Sequence, residues 1–163
     1  MDNSVLLRKL EKFCPDWIQK PDTSLDTIGA LQHILNQVFA GMLHIRIQQL
    51  DKDKITGTVP YEHATANVVG YMHGGTIFTT GDTLAGAFLW ANSDENTYAI
   101  TTRSEIKYLK PFKQGILKCT VTEKSRDGRK VILEAIFEDT ESHIISVMII
   151  DYLLMSSPVV TKH

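Results

Sequence analysis

Cysteine is almost absent from this chain: Cys14 and Cys119 are its only two, far apart and without partners at metal or redox spacing. That excludes a disulfide framework and a cysteine-based zinc site, and it fits a reducing, cytoplasmic setting. Basic excess is missing too. Seventeen Lys and Arg stand against 19 Asp and Glu, so no basic stripe is available for a phosphate backbone, and nucleic acid falls away as a partner. No apolar run is long enough to span a membrane, since the longest, Ile144 to Met155, is broken by Ser146 and Asp151. The opening residues lack the basic-then-apolar order of a signal peptide. Neither Gly-x-Gly-x-x-Gly nor a Walker Lys-Ser/Thr follows any glycine-rich loop, which removes the dinucleotide and P-loop folds.

What remains is one domain of ordinary size over residues 1–163, with N-terminal helical segments in 1–42 and a core in 43–156. Leu6, Leu7, Leu10, Phe13 and Trp17 repeat at helical spacing before Pro15 and Pro21 intervene. Ser24 then reads as an N-cap for a second helix whose stripe, from Leu25 through Ile28, Leu31, Leu35 and Val38 to Met42, ends near Gly41. From His44 the period shifts to two. Ile45 and Ile47 alternate with polar residues, Asp51 to Lys54 form a turn, and Ile55 to Val59 complete a hairpin. His33 and His44 lack a carboxylate or second His at ligand spacing and read as surface side chains.

The most informative stretch is 67–92. A polar loop carrying His73-Gly74-Gly75 opens an apolar helix in which no Lys, Arg or Glu occurs between Gly75 and Asn92. Ile77, Phe78, Gly81, Leu84, Ala85, Phe88 and Leu89 share one face, and the rest is small, so the helix is expected inside a core with Asp82 as a buried carboxylate. Asp82 has two readings: a structural hydrogen-bonding partner, or a catalytic group facing a cleft. After it, Tyr98 to Leu109 reads as a strand with Ile100, Thr102, Ser104, Ile106 and Tyr108 on one face and Thr101, Arg103, Glu105 and Lys107 on the other. Leu117, Cys119 and Val121 alternate inward, the turn at Asp127-Gly128 carries a hairpin signal, and Val131, Leu133, Ala135 and Phe137 answer it. The strand from His143 to Met155 is apolar on both faces, so something must cover its outer side, such as another subunit. The sum is an α+β domain, with antiparallel strands in meander order curled round one long central helix at about 74–92.

This layout resembles the hotdog fold, and more closely the acyl-CoA thioesterases of the phenylacetate-degradation (PaaI-like) group. Asn67, Gly70, His73-Gly74-Gly75, then Asp82 and Thr83, stand in the spacing Asn-x-x-Gly-x-x-His-Gly-Gly-x-x-x-x-x-x-Asp, followed by the strand Thr101 to Pro111 and the Gly128-Arg129-Lys130 turn. The resemblance covers roughly residues 35–155. The helical segment before it is longer than the family expects. Activity on an acyl-CoA thioester is what the resemblance implies, with coenzyme A as part of the substrate and neither metal nor cofactor. It further implies a backbone N–H of Gly74 or Gly75 holding the oxyanion, Asp82 as general base or nucleophile, and Asn67 orienting water or carbonyl. Thr101 then holds a water, and His73 either fixes the loop or moves a proton. Phe78 lines the acyl slot, and Arg103, Arg126, Arg129 and Lys130 are the candidates for the coenzyme A phosphates. A homodimer, or a homotetramer built from two of them, belongs to the same expectation. The rival readings are a hotdog dehydratase or hydratase on acyl thioesters and a non-catalytic acyl-CoA-binding module.

Spacing adds a constraint of its own. Asp82 follows Gly74 by eight residues, about 12 Å along a helix, so the two cannot reach one scissile bond within one chain. Two antiparallel helices related by a two-fold axis would bring each Gly74 opposite the other chain's Asp82.

Overall fold

The computed structural model describes residues 3–156; the ends of the expected domain, 1–2 and 157–163, lie outside the described residues. Four helices, α1 (Asn3–Phe13), α2 (Thr27–Leu35), α3 (Phe39–Met42) and α4 (Gly74–Ala91), accompany six strands. These are β1 (Arg46–Leu50), β2 (Lys54–Pro60), β3 (Thr97–Tyr108), β4 (Ile116–Asp127), β5 (Lys130–Glu138) and β6 (Ile144–Ser156). The architecture is the hotdog fold expected: one antiparallel sheet curled round α4.

The strand order is β1-β2-β4-β5-β6-β3, every neighbouring pair antiparallel. That corrects the meander. β4, β5 and β6 follow one another, but β3 crosses to the far edge and pairs with β6, because α4 and its connections stand between β2 and β3 and leave the slot beside β2 to β4. Register then explains the core. Val131, Leu133, Ala135 and Phe137 of β5 and Met148, Ile150 and Tyr152 of β6 face α4 and are buried. On the other side of α4, Leu84 sits against Gly57 of β2, where an added Cβ would lie 2.8 Å from the Arg46 carbonyl oxygen. Gly81 likewise lets the helix approach Met148 and Phe137. Truncating a fully buried residue such as Leu84 to Ala would cost about 2–5 kcal/mol.

Three other expectations need correction. The second helix is not continuous: Asp26, not Ser24, caps it by accepting from the Gly29 N–H at 2.7 Å, and the chain leaves the helix after Leu35 before α3 begins. Asn36 Oδ1 accepts from Arg46 at 2.7 Å, and Gln32 bonds both the Ile45 carbonyl and the Ile47 N–H, so the end of α2 is tethered to β1. Gly41 lets α3 fold back closely, since a Cβ there would lie 2.5 Å from the Asn36 carbonyl oxygen. Strand β3 also departs from simple alternation. A bulge between Thr101 and Arg103 puts Thr97, Ala99 and Thr101 on the helix side before it and Ser104, Ile106 and Tyr108 on that side after it, while Ile100 is exposed. A second bulge lies between Ile47 and Gln49 of β1. The third correction concerns α4, which is buried on only part of its circumference; Asp82 is half-exposed on its open side.

Helix α1 closes the far end of α4. Lys9, wholly inaccessible to solvent, donates to the Trp90 carbonyl at 2.8 Å and to the Ser93 hydroxyl at 2.7 Å, capping the carbonyl-rich helix end. Arg8 pairs with Glu95 and Lys12 with Asn96 beside it. Leu10 packs with Ile18 and Ile34 in a small satellite cluster. No helix among the described residues is long and apolar enough to cross a membrane.

Candidate active site

Asp82 is held by two hydroxyls. Its Oδ1 accepts from Thr101 Oγ1 at 2.9 Å and from the Tyr152 hydroxyl at 3.0 Å, and the same tyrosine also reaches the Asp82 main-chain oxygen at 3.0 Å. Thr101 and Tyr152 are paired across β3 and β6, so one cross-strand pair presents both donors to one carboxylate. Burial, reinforced by the Asp82 charge, pushes the Tyr152 hydroxyl above its ordinary pKa, so it stays protonated as a donor. Tyr152 was not among the sequence-derived candidates. The signal available was a tyrosine within an otherwise apolar strand, whose hydroxyl needs a partner once buried.

The carboxylate opens into a cleft of about 520 Å³ between α4 and the α2–α3 segment. Phe78 lines it one turn before Asp82, with Thr79, Thr83, Thr101 and Tyr152 around the carboxylate. Asp82 is the single charged side chain in its lining among the described residues.

The start of α4 lies elsewhere. His73 caps the helix, its Nδ1 accepting from the Gly75 N–H at 2.8 Å, which fixes the ring and engages that amide. Among the described residues no acceptor meets the Gly74 N–H, while the Gly74 carbonyl accepts from the Tyr108 hydroxyl at 3.0 Å. Asn67 turns inward on its own loop: Oδ1 accepts from the Val69 and Tyr71 amides at 3.0 and 3.1 Å. Asn67 and Gly74 border a second cleft of about 400 Å³ with Tyr108, Lys110 and Phe112, which Asp82 does not enter. Thus one chain brings Asp82, Thr101 and Phe78 together and keeps Asn67, His73, Gly74 and Gly75 as a separate group.

The basic candidates join neither group. Arg103 faces the outer side of the sheet, 2.9 Å from Glu105 and 4.0 Å from Asp151. Arg126 makes a two-pronged pair with Glu123 at 3.0 and 2.6 Å, whose hydrogen bonds raise the guanidinium's pKa further. Arg129 and Lys130 are exposed at the β4–β5 turn. No cluster of three His, Cys, Asp or Glu side chains suited to a metal occurs among the described residues.

Residues 34–153 match the family model of DUF4442, a domain of unknown function. No curated protein matches the sequence. Among solved structures, the thioesterase HI1161 of Haemophilus influenzae superposes with a TM-score of 0.78 at 17% identity, over 86% of this chain and 97% of that one. A mutant of the thioesterase PA1618 of Pseudomonas aeruginosa gives 0.77 at 15% identity, over 86% and 99%. A hypothetical thioesterase protein of Streptococcus pneumoniae, solved with coenzyme A, gives 0.64 at 18% identity, over 69% and 90%. At these identities the likeness is one of fold.

Proposed function

The chain belongs to the DUF4442 family, and from the site it carries we propose that it is an acyl-CoA thioesterase of the PaaI-like kind, hydrolysing a thioester to a free acid and coenzyme A. The observation that carries this reading is the Thr101–Asp82–Tyr152 cluster at the mouth of an otherwise uncharged cleft. Both hydroxyls engage Oδ1, which leaves Oδ2 free to serve a water or the thioester carbon. As base, Oδ2 takes a proton from water as the water oxygen attacks the carbonyl carbon. The carbonyl oxygen becomes an oxyanion, collapse breaks the C–S bond, and the proton passes to the departing thiolate. As nucleophile, Oδ2 attacks the carbonyl carbon and the C–S bond breaks to release the coenzyme A thiolate, which takes up a proton; water then opens the acyl anhydride to the free acid and restores the Asp82 carboxylate. Neither route uses a metal or cofactor.

The oxyanion donor is the Gly74 N–H at the positive end of α4. It lies in the other cleft of the same chain, so the working site combines Asp82 of one subunit with Gly74 of a second in a two-fold dimer. The fit of the fold to thioesterases, one of them holding coenzyme A, supports the substrate class. Against a dehydratase stands His73, whose Nδ1 is committed to the helix cap rather than to proton transfer.

Release of free thiol from a panel of acyl-CoAs tests the reading. Wild type should turn over at least one member, and Asp82→Asn should lose about 10²–10⁴-fold in kcat, the contribution of a positioned base. Full activity in Asp82→Asn, or none in wild type, would overturn it.

A further inference from the structure

The segment that precedes the catalytic fold is not an ornament of it. Asp82, Gly86 and Trp90 stand on the open side of α4 at intervals of four residues, and α2 with α3 roofs that side through Leu31, Leu35, Val38 and Phe39. Polar side chains gather at the Asp82 end; the other end offers only the indole N–H of Trp90, buried and without a hydrogen-bond partner among the described residues. From Asp82 to Trp90 the floor is Gly86, Ala87 and the indole, and the roof is aliphatic or aromatic. A cleft with one charged end and a long apolar remainder fits a ligand of the same polarity.

We propose that α2 and α3 form the acyl-chain wall of the site, and that the substrates are thioesters of unbranched aliphatic acids of about eight to twelve carbons, the tail running along α4 from Asp82 toward Trp90. This rests on the thioesterase reading for the head group and goes beyond it in naming the tail. Length sets the estimate. Eight residues of helix from Asp82 to Trp90 span about 12 Å, and an extended carbon chain advances about 1.25 Å per bond for a C–C bond near 1.5 Å, which gives roughly ten carbons. The volume agrees. A cleft of about 520 Å³ exceeds what ten methylenes need at roughly 30 Å³ each, taking each as about the size of a water. Gly86 matters here because a Cβ would meet nothing nearer than the Tyr152 hydroxyl at 3.9 Å; the missing side chain is open floor beside the carboxylate. The roof is anchored by the Gln32 and Asn36 tethers to β1 and by the close fold-back at Gly41, so it is a fixed wall.

The test separates binding from chemistry. Non-hydrolysable S-alkyl-CoA thioethers with two to sixteen carbons are titrated against the full chain, read by calorimetry and, in a Trp17→Phe background, by Trp90 fluorescence, beside thiol release from the matching acyl-CoAs and from phenylacetyl-CoA. Affinity should rise about fourfold per added methylene and level off near ten to twelve carbons. Gly86→Leu, which fills the floor, should lower affinity for the ten-carbon ligand at least tenfold more than it lowers affinity for the two-carbon ligand. Phe39→Asp, at a side chain already 62% exposed and so tolerant of a charge, should act in the same direction. Affinity independent of chain length, preference for the two-carbon or phenylacetyl ligand, or an unchanged profile in both variants would overturn the proposal. Chain-length-dependent binding without hydrolysis would uphold the tail assignment and sink the enzyme reading.

Discussion

The Tyr152 hydroxyl stands 3.0 Å from both the main-chain oxygen and the Oδ1 of Asp82, so one side chain ties the carboxylate to its own backbone turn. Rotation of Asp82 about χ1 breaks that link. Tyr152 is therefore a positioning residue.

Removing it should separate positioning from binding. Tyr152→Phe loses a hydrogen bond to a charged group, worth about 1.5–3 kcal/mol, and should lower kcat about 10- to 100-fold with little change in KM. Thr101→Val should behave alike, and the double variant should lose less than the product of the two, because both act on Oδ1. Steady-state kinetics across pH is the measurement.

The proposed sharing of the site between two subunits makes a prediction about mixtures. Gly74→Val puts a Cβ 3.0 Å from the Tyr108 hydroxyl, which must give way, and sets a branched side chain beside the Gly74 N–H, and Asp82→Asn disables the carboxylate. Each alone should be inactive. Unfolded together and refolded, they should recover activity approaching one good site per mixed dimer; no recovery at any ratio would count against a site built from two chains.

Two glycines should respond oppositely to alanine. At Gly57 the new Cβ meets the Arg46 carbonyl oxygen at 2.8 Å and Leu84 at 2.7 Å, an overpacked contact costing about 1–3 kcal/mol. At Gly86 there is room, and the gain in helix propensity is up to about 1 kcal/mol. Urea unfolding of both variants checks the sign.

Lys9 couples stability to pH. Its pKa falls from 10.5 to about 8 on folding, chiefly because burial disfavours the charged amine, with Asp94 partly offsetting. Between about 8 and 10.5 the unfolded chain holds the extra proton, so this residue makes stability rise with pH across that window and leaves the cost of the buried charge in force below it. Lys9→Met should abolish that rise in the difference between the two melting curves. At neutral pH the same change leaves the Trp90 carbonyl without the Lys9 amine, which costs about 1–3 kcal/mol, and relieves the cost of the buried charge, so the two oppose each other there.

Much of the site was legible because helix geometry is local. The run His73-Gly74-Gly75 before a helix without Lys, Arg or Glu located α4, and eight residues to Asp82 sufficed to put the two groups in different clefts. What escaped depends on distant pairing. The bulge that turns Thr101 toward Asp82 belongs to the register of β3 against β6, and no alternation within β3 reveals it. Tyr152 hid among apolar neighbours because its partner comes from another element. The break between α2 and α3 has no proline or glycine to mark it; Asn36 leaves the helix while its side chain is held by Arg46 of β1. Ser24 and Asp26 were both chemically suitable caps two residues apart, and only folding selects between them.

Both outermost strands, β1 and β3, carry a bulge in mid-course. A flat outer strand is a template on which copies add without end; a bent one accepts only a partner shaped to the bend. The Thr101–Arg103 kink therefore does two things at once: it aims a hydroxyl at Asp82 and, by the same distortion, blunts β3 as a template for fibre growth.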